Sequence, residues 1–478
     1  MKNNFLYTLA FAFILIGASC SDDEGGSVQQ DFVVAFQNPS LSFDTSDTQK
    51  EVNLVFSTAA PSDGTVAITY TTDNAVYGSD ADFTTVPDGA SGQLMVGFTG
   101  GASGTSFTFN KLQDAIEGAS KGVNFTLSAI SLTDSNGTTP TIQGNTQLAV
   151  SFTETAAPAG TTSPEVGGPN EDNQVYVDLS SLTQTTAKRD SWDLGFYNGD
   201  AFRVTINGSI FMAVAALEST DIDAVTPTDV EALQPQVAVG TFDAANIDYV
   251  DAVTGDLEGT AIAAISETDA DNPVYLVNLG FEVGTDTPDL GGVALNGEAR
   301  GWKKIRILRS GSDYVLQYAD LEASTHEEVT ISKTAGYLFT FFSFNTEDLV
   351  DVQPLSDRWD LNFTAFTNEI EGFGSYGYAD FITTNLLGGA VAYAVETATK
   401  AYAEFTAADV VEASFLDDQR GIGSNWRNGG GPGTLPSLKD DVFFVLKDTD
   451  GNLYKIRFTA LVDEGGVRGY PAFEFELL

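Results

Sequence analysis

The lone cysteine, Cys20, and the lone histidine, His326, narrow the chemistry open to this chain of 478 residues. Disulfides, thiolate zinc sites and iron–sulfur clusters each need more than one cysteine. A Ser-His-Asp or Cys-His triad would have to use His326, and no Gly-x-Ser-x-Gly elbow surrounds a suitable nucleophile. His326 lies in Ala323-Ser324-Thr325-His326-Glu327-Glu328, beside two adjacent carboxylates. A solvated histidine in a connection accounts for it better than a ligand does. Asp448-x-Asp450-Gly451 opens like a calcium loop, but Asn452-Leu453-Tyr454 resumes a strand, so a hairpin turn is expected. The most distinctive loop is Gly421 to Gly433, which carries Trp426 and Arg427. Trp and Arg are favoured interface anchors, so this is either a recognition loop or an irregular surface loop. It lacks Gly-Lys-Ser/Thr and a following helix, and so is not a phosphate loop. The 67 acidic residues guarantee chance carboxylate pairs, which keeps a carboxylate-based glycan hydrolase open as a third class.

Cys20 has a chemistry of its own. A polar start with Lys2 leads into an apolar run from Phe5 to Gly17, and Ala18-Ser19-Cys20 follows. The run falls short of the roughly 20 apolar residues that span a bilayer and has the order of a secretory signal. Small residues before a cysteine resemble a bacterial lipobox, whose thiol is acylated and becomes the new N-terminus. Gly17 stands where leucine is commoner. The acidic stretch Ser21-Asp22-Asp23-Glu24-Gly25-Gly26 resembles the export signal that carries lipoproteins to the outer face of Bacteroidetes-type cells. A solvated acidic tether would look the same. The formal charge of −45 repels nucleic acid and anionic headgroups, so the membrane is reached through the lipid alone. Disorder does not explain this charge, because 42% of residues are hydrophobic and 11% aromatic.

The elements that must position any site are strands. Val175-Tyr176-Val177-Asp178-Leu179, Phe202-Arg203-Val204-Thr205-Ile206 and Lys304-Ile305-Arg306-Ile307-Leu308 alternate with period two. Short helices are expected only at 109–119 and 406–415, the latter capped by Thr406. The order is a signal at 1–20, an acidic tether at 21–30 and a small Ig-like β-sandwich spacer at 31–155. A Pro/Gly/Thr-rich linker at 156–173 follows, then two related antiparallel units at 174–325 and 326–478. Ser191-Trp192-Asp193-Leu194-Gly195-Phe196 returns as Arg358-Trp359-Asp360-Leu361-Asn362-Phe363, and Lys304-Ile305-Arg306 as Lys455-Ile456-Arg457. Each Trp is expected to fill a core, and each Asp to accept backbone hydrogen bonds.

These motifs, with Val204-Thr205-Ile206-Asn207-Gly208 and the hairpin from Lys447 to Phe458, resemble the HmuY family of bacterial haem-binding lipoproteins. The resemblance covers 174–478 and implies an all-β, non-catalytic surface lipoprotein of the outer membrane. It would capture haem or a related porphyrin and pass it to an outer-membrane receptor. Family members hold the iron with paired histidines or methionines in loops between the Trp-Asp motif and the terminal hairpin. This chain departs there: the only soft candidate in the first unit is Met212, and the second has neither His nor Met in that interval. Met95 belongs to the spacer. Met212 is therefore the candidate axial ligand, with a buried core methionine as its simpler role. Tyrosine can also hold haem iron, and Tyr197, Tyr249, Tyr376, Tyr378 and Tyr393 are available. The alternative is a structural or adhesive surface lipoprotein that has lost the haem site. The anchor has a direct check: Cys20→Ala should move the protein from the membrane fraction to the soluble one, and retention would place the anchor elsewhere.

Overall fold

Strict alternation of buried and exposed residues builds the N-terminal part. Gln93–Phe98 and Gln147–Phe152 each bury every second side chain. The computed structural model describes residues 31–79, 81–135, 137–430 and 434–478, so Cys20 and the acidic tether lie outside the described residues. One unit ends at Asp114 and resumes over Ser120–Thr153, and a second comprises Ala115–Ala119 with Glu154–Leu478. The first holds two five-stranded sheets. Phe43 and Phe125 of one meet Phe109 and Phe107 of the other, with ring centroids 5.2 and 5.1 Å apart, which makes it a sandwich. The helix expected at 109–119 does not form. Phe107 and Phe109 are core residues of the strand Gly104–Lys111, and period-two burial overrides the helical spacing. Across 406–415 there are two 3-10 turns, with Thr406 and Asp409 forming a capping box at the first. Among the described residues no helix is long and apolar enough to cross a membrane.

The second unit is also all-β. The stretch 156–173 is not a free linker, because Ala159–Thr162 hydrogen-bonds to the edge of Arg468–Leu477. The stretches 174–325 and 326–478 do not close on themselves either, because each lends its opening strand to the other. Asn173–Asp178 pairs with Leu361–Ile370, the strand of the second Trp-Asp motif. Phe339–Ser343 pairs with Leu194–Tyr197, the strand of the first. The two five-stranded sheets of the unit also match. One runs Ala213–Ala216, Val274–Asn278, Trp302–Ser310, Asp313–Asp320, Glu327–Ile331. The other runs Val391–Glu396, Val442–Lys447, Leu453–Val462, Arg468–Leu477, Ala159–Thr162.

The same hydrogen bonds recur at both motifs. Asp193 N–H donates to Phe342 O and Asp360 N–H to Val177 O, at 2.9 and 2.8 Å. Asp193 Oδ2 accepts from Phe344 N, and Asp360 Oδ2 from Leu179 N. Asn207 Nδ2 donates to Trp192 O and Arg189 O, as Asn385 Nδ2 does to Trp359 O and Ser356 O, all at 2.8 Å. The buried ammoniums of Lys304 and Lys455 each donate to two main-chain carbonyls.

The two aspartates differ in what balances their charge. Arg300 Nη1 lies 2.5 Å from Asp193 Oδ1, both side chains being buried. Asp360 has no such cation. Burial, with Asp448 and Asp178 nearby, pushes its carboxyl up to about 7, against the backbone N–H donors that favour the charged form. Asp193→Asn should cost about 3–5 kcal/mol at neutral pH, because Arg300 is left buried without its counter-charge. Asp360 has a raised folded pKa, so its stability contribution is full below the ordinary 3.8 and is lost as pH rises through about 7. The advantage of wild type over Asp360→Asn should therefore shrink from pH 4 to pH 8, by on the order of a few kcal/mol. Urea titrations across that range check both, and a constant difference for Asp360→Asn would mean the carboxyl is ionised throughout.

Candidate functional site

The exchanged strands bring both tryptophans of the Trp-Asp motifs to one interior cavity. Trp192 sets its edge against Phe341 at 4.8 Å and 70°, and Trp359 against Tyr176 at 5.0 Å and 80°. These rings form one buried cluster beside a cavity of about 190 Å³. The cavity is lined by strands of both four-stranded sheets and by the segment from Val250 to Leu257. No Lys, Arg or His lines it, and its carboxyls are Asp251 and Asp256. Asp251 accepts from the Ile206 and Ala261 N–H groups at 2.8 and 2.9 Å, and burial pushes its carboxyl up to about 7.

The cavity wall is unevenly satisfied. Trp192 Nε1 donates to Gln174 Oε1 at 2.8 Å. Trp359 Nε1, Asn362 Oδ1, Thr384 Oγ1 and Gln353 Oε1 are buried without a partner. Each such atom costs about 1–3 kcal/mol relative to a hydrogen-bonded one.

Met212 is fully buried among Ile206, Ile210 and Val214, and it also forms part of the cavity wall. His326 is far from a paired-ligand arrangement: its Nδ1 lies 2.9 Å from Asp223 Oδ1. Trp426 is not a surface anchor. It is 1% exposed, stacks on Phe458 with centroids 4.5 Å apart, and donates Nε1–H to Asp380 O at 3.0 Å. Arg427 turns inward beside it, 3.2 Å from Asp380 Oδ2, where Arg468 Nε also donates at 2.6 Å. The loop's glycines suggest a surface, but the core takes the indole and the carboxylate takes the guanidinium. Asp448 accepts from the N–H groups of Asp450 and Asn452 and from Asn452 Nδ2, which closes the hairpin without a cation.

A second feature lies on the surface. Tyr376 is 39% exposed and faces Phe242, itself 61% exposed, with ring centroids 5.5 Å apart. Tyr378 sets its edge on Tyr376 at 5.9 Å, and Phe373 is exposed in the turn of the same hairpin. The Phe242 segment is fixed there by Gly240 N–H to Ser375 O and by Ser375 N–H to Asn246 Oδ1. Gly374 is required at this contact, since it has φ +80° and a Cβ would fall 2.1 Å from Asn246 Oδ1. Sequence reading named these tyrosines among several without choosing. Their pairing with Phe242 is a tertiary fact with no local signal. Asn362 and Thr384 were missed, although Asn362 stands at the position of Gly195 in the repeated motif.

The family model described as HmuY protein matches residues 170–475. No curated protein matches the sequence. Among solved structures the chain is similar to the apo HmuY analog of Tannerella forsythia, at 10% identity and TM-score 0.18, covering 67% of this chain and 97% of that one. It is similar to a two-domain protein of unknown function from Bacteroides fragilis, at 10% identity and TM-score 0.19, covering 67% and 92%. It is also similar to the apo form of the Calx CBD1 domain, at 13% identity and TM-score 0.20, covering 26% and 98%. The placement of Trp426 has its own check. Trp426→Ala should lower the unfolding free energy by about 3–5 kcal/mol, as for a core indole, whereas loss of an exposed anchor would leave it unchanged.

Proposed function

The chain belongs to the HmuY family, a family of non-catalytic surface ligand-binding proteins, and from that premise we propose that it is a lipid-anchored outer-membrane protein that captures haem or a related porphyrin. Family membership over residues 170–475 carries this reading, and the aromatic patch of exposed Phe242, Phe373 and Tyr376 with half-buried Tyr378 supports it. Exposed aromatic patches mark binding surfaces, and a porphyrin is held largely by apolar burial and stacking. The patch lies between the Trp-Asp motifs and the terminal hairpin, where the family places its ligands. The donor set fits iron on one side only: a paired His or Met set is absent, and Tyr376 is the exposed tyrosine of the patch. Met212 is the alternative axial donor and would require the porphyrin to open the interior cavity. The spacer sandwich lifts this surface from the membrane, and an outer-membrane receptor takes the ligand on. The two Trp-Asp stretches descend from one duplicated unit, a reading supported by the hydrogen bonds they share.

Haemin titration of residues 31–478, read at the Soret band, tests the site. We expect weak, single-sided ligation that Tyr376→Phe alters and Phe242→Ala weakens several-fold. Loss on Met212→Ala alone would move the site to the cavity. A six-coordinate low-spin spectrum unaffected by all three variants would refute this site. No Soret shift at all would leave the structural or adhesive role in its place.

A further inference from the structure

The unpaired polar atoms of the cavity residues all belong to the second of the two matched stretches, 326–478. Gln174 and Phe339 hold corresponding places, each two residues before the ring that meets a tryptophan, Tyr176 or Phe341. Gln174 supplies the acceptor for Trp192 Nε1, and Phe339 has none to offer Trp359. The first stretch has Gly195, which carries no side chain, and a Cβ there would crowd Thr205 Oγ1 at 2.7 Å and the Phe341 ring at 3.1 Å. Its counterpart is Asn362, with an unpartnered Oδ1. Ile206, before Asn207, is matched by Thr384, before Asn385, with an unpartnered Oγ1. Gln353 Oε1 adds a further acceptor. A duplicated scaffold could have kept the paired or apolar choice at each position. The second stretch instead leaves one N–H donor, two amide oxygens and a hydroxyl unpartnered in residues that line the cavity.

We propose that this cavity binds a small uncharged polyhydroxylated molecule of monosaccharide size, independently of any porphyrin at the surface. A ring bearing several hydroxyl groups can accept from Trp359 Nε1 while donating to Asn362 Oδ1 and Gln353 Oε1, and can do either toward Thr384. Anions are disfavoured because no cation lines the cavity and the chain carries a net −45. Cations gain little, because both Asp251 oxygens are already taken by backbone N–H groups. A volume of about 190 Å³ lies below the roughly 300–1,000 Å³ of drug-sized sites, which selects a single ring.

The test titrates the full chain with D-glucose, D-galactose and N-acetylglucosamine, with uracil as a flat neutral contrast. Calorimetry and tryptophan fluorescence are the readouts. At least one sugar should bind with a Kd of about 1 mM or tighter. Thr384→Val, which keeps the side-chain shape, should weaken it about tenfold, and Trp359→Phe should weaken it at least as much. Neither variant should change the haemin titration, so failure here and failure of the porphyrin reading are separable. The proposal is overturned if no sugar binds at about 10 mM, if uracil binds more tightly than every sugar, or if Thr384→Val leaves sugar binding unchanged. It is also overturned if an experimental structure determined with the sugar shows only ordered waters on the four atoms.

Discussion

The fold of the family-matched region depends on an exchange of strands held by two buried aspartates. Each Trp-Asp strand completes the sheet begun by the other stretch's opening strand, and each Asp accepts a backbone N–H at the end of that strand. A single stretch would therefore expose an unpaired strand edge and leave a buried carboxylate without its donor. The exchange also explains why the tryptophans meet at one cavity. Each indole packs against the opening strand that its own Asp has fixed, so position and pairing are set by the same contact.

Matching scaffolds make differences informative. Asp193 is neutralised by Arg300, whereas Asp360 faces Asp448 and Asp178 and is pushed toward its neutral form. Around the cavity the first stretch contributes Gln174, Gly195 and Ile206, which leave no polar atom unpaired, whereas the second contributes Phe339, Asn362 and Thr384, and Asn362 Oδ1, Thr384 Oγ1 and Trp359 Nε1 stay without a partner. One half conserves a closed structure and the other carries a stability cost. Unmet buried polar groups are tolerated where something other than the protein meets them.

Much of this was legible in the chain and some was not, for identifiable reasons. Period-two alternation gave the strands, and the recurrence of Trp-Asp-Leu-x-Phe gave the matched motifs. The exchange was invisible because Val175-Tyr176-Val177 satisfies the same sheet whether it pairs with its own Trp-Asp strand or with the other. Strand pairing is non-local, and the alternation is the same in both arrangements. Trp426 misled because its glycine neighbours suggest a surface, while burial was decided by Phe458 and Asp380, distant in sequence. Residues 109–119 misled because Leu112, Ala115 and Ile116 have helical spacing, yet Phe107 and Phe109 bind the segment into a sheet. The departure of Asn362 from Gly195 was on the page from the start, but its meaning required knowing that the amide oxygen is left alone.

Charge separates the two binding regions. A net −45 resists anionic ligands at long range, so the porphyrin we propose, with its propionates, would have to be held by short-range apolar contact and a metal donor. The exposed Phe242 and Tyr376 offer such contact where solvent and salt screen the repulsion. The cavity between the tryptophans offers no cation. A charge brought there would meet Asp251 in a low dielectric, and even that carboxyl is driven toward neutrality. What the enclosed site can accept is therefore neutral and hydrogen-bonding, whereas the surface patch can accept what is flat and apolar. The same acidity that keeps the chain soluble thus sorts ligands by charge between its two candidate sites.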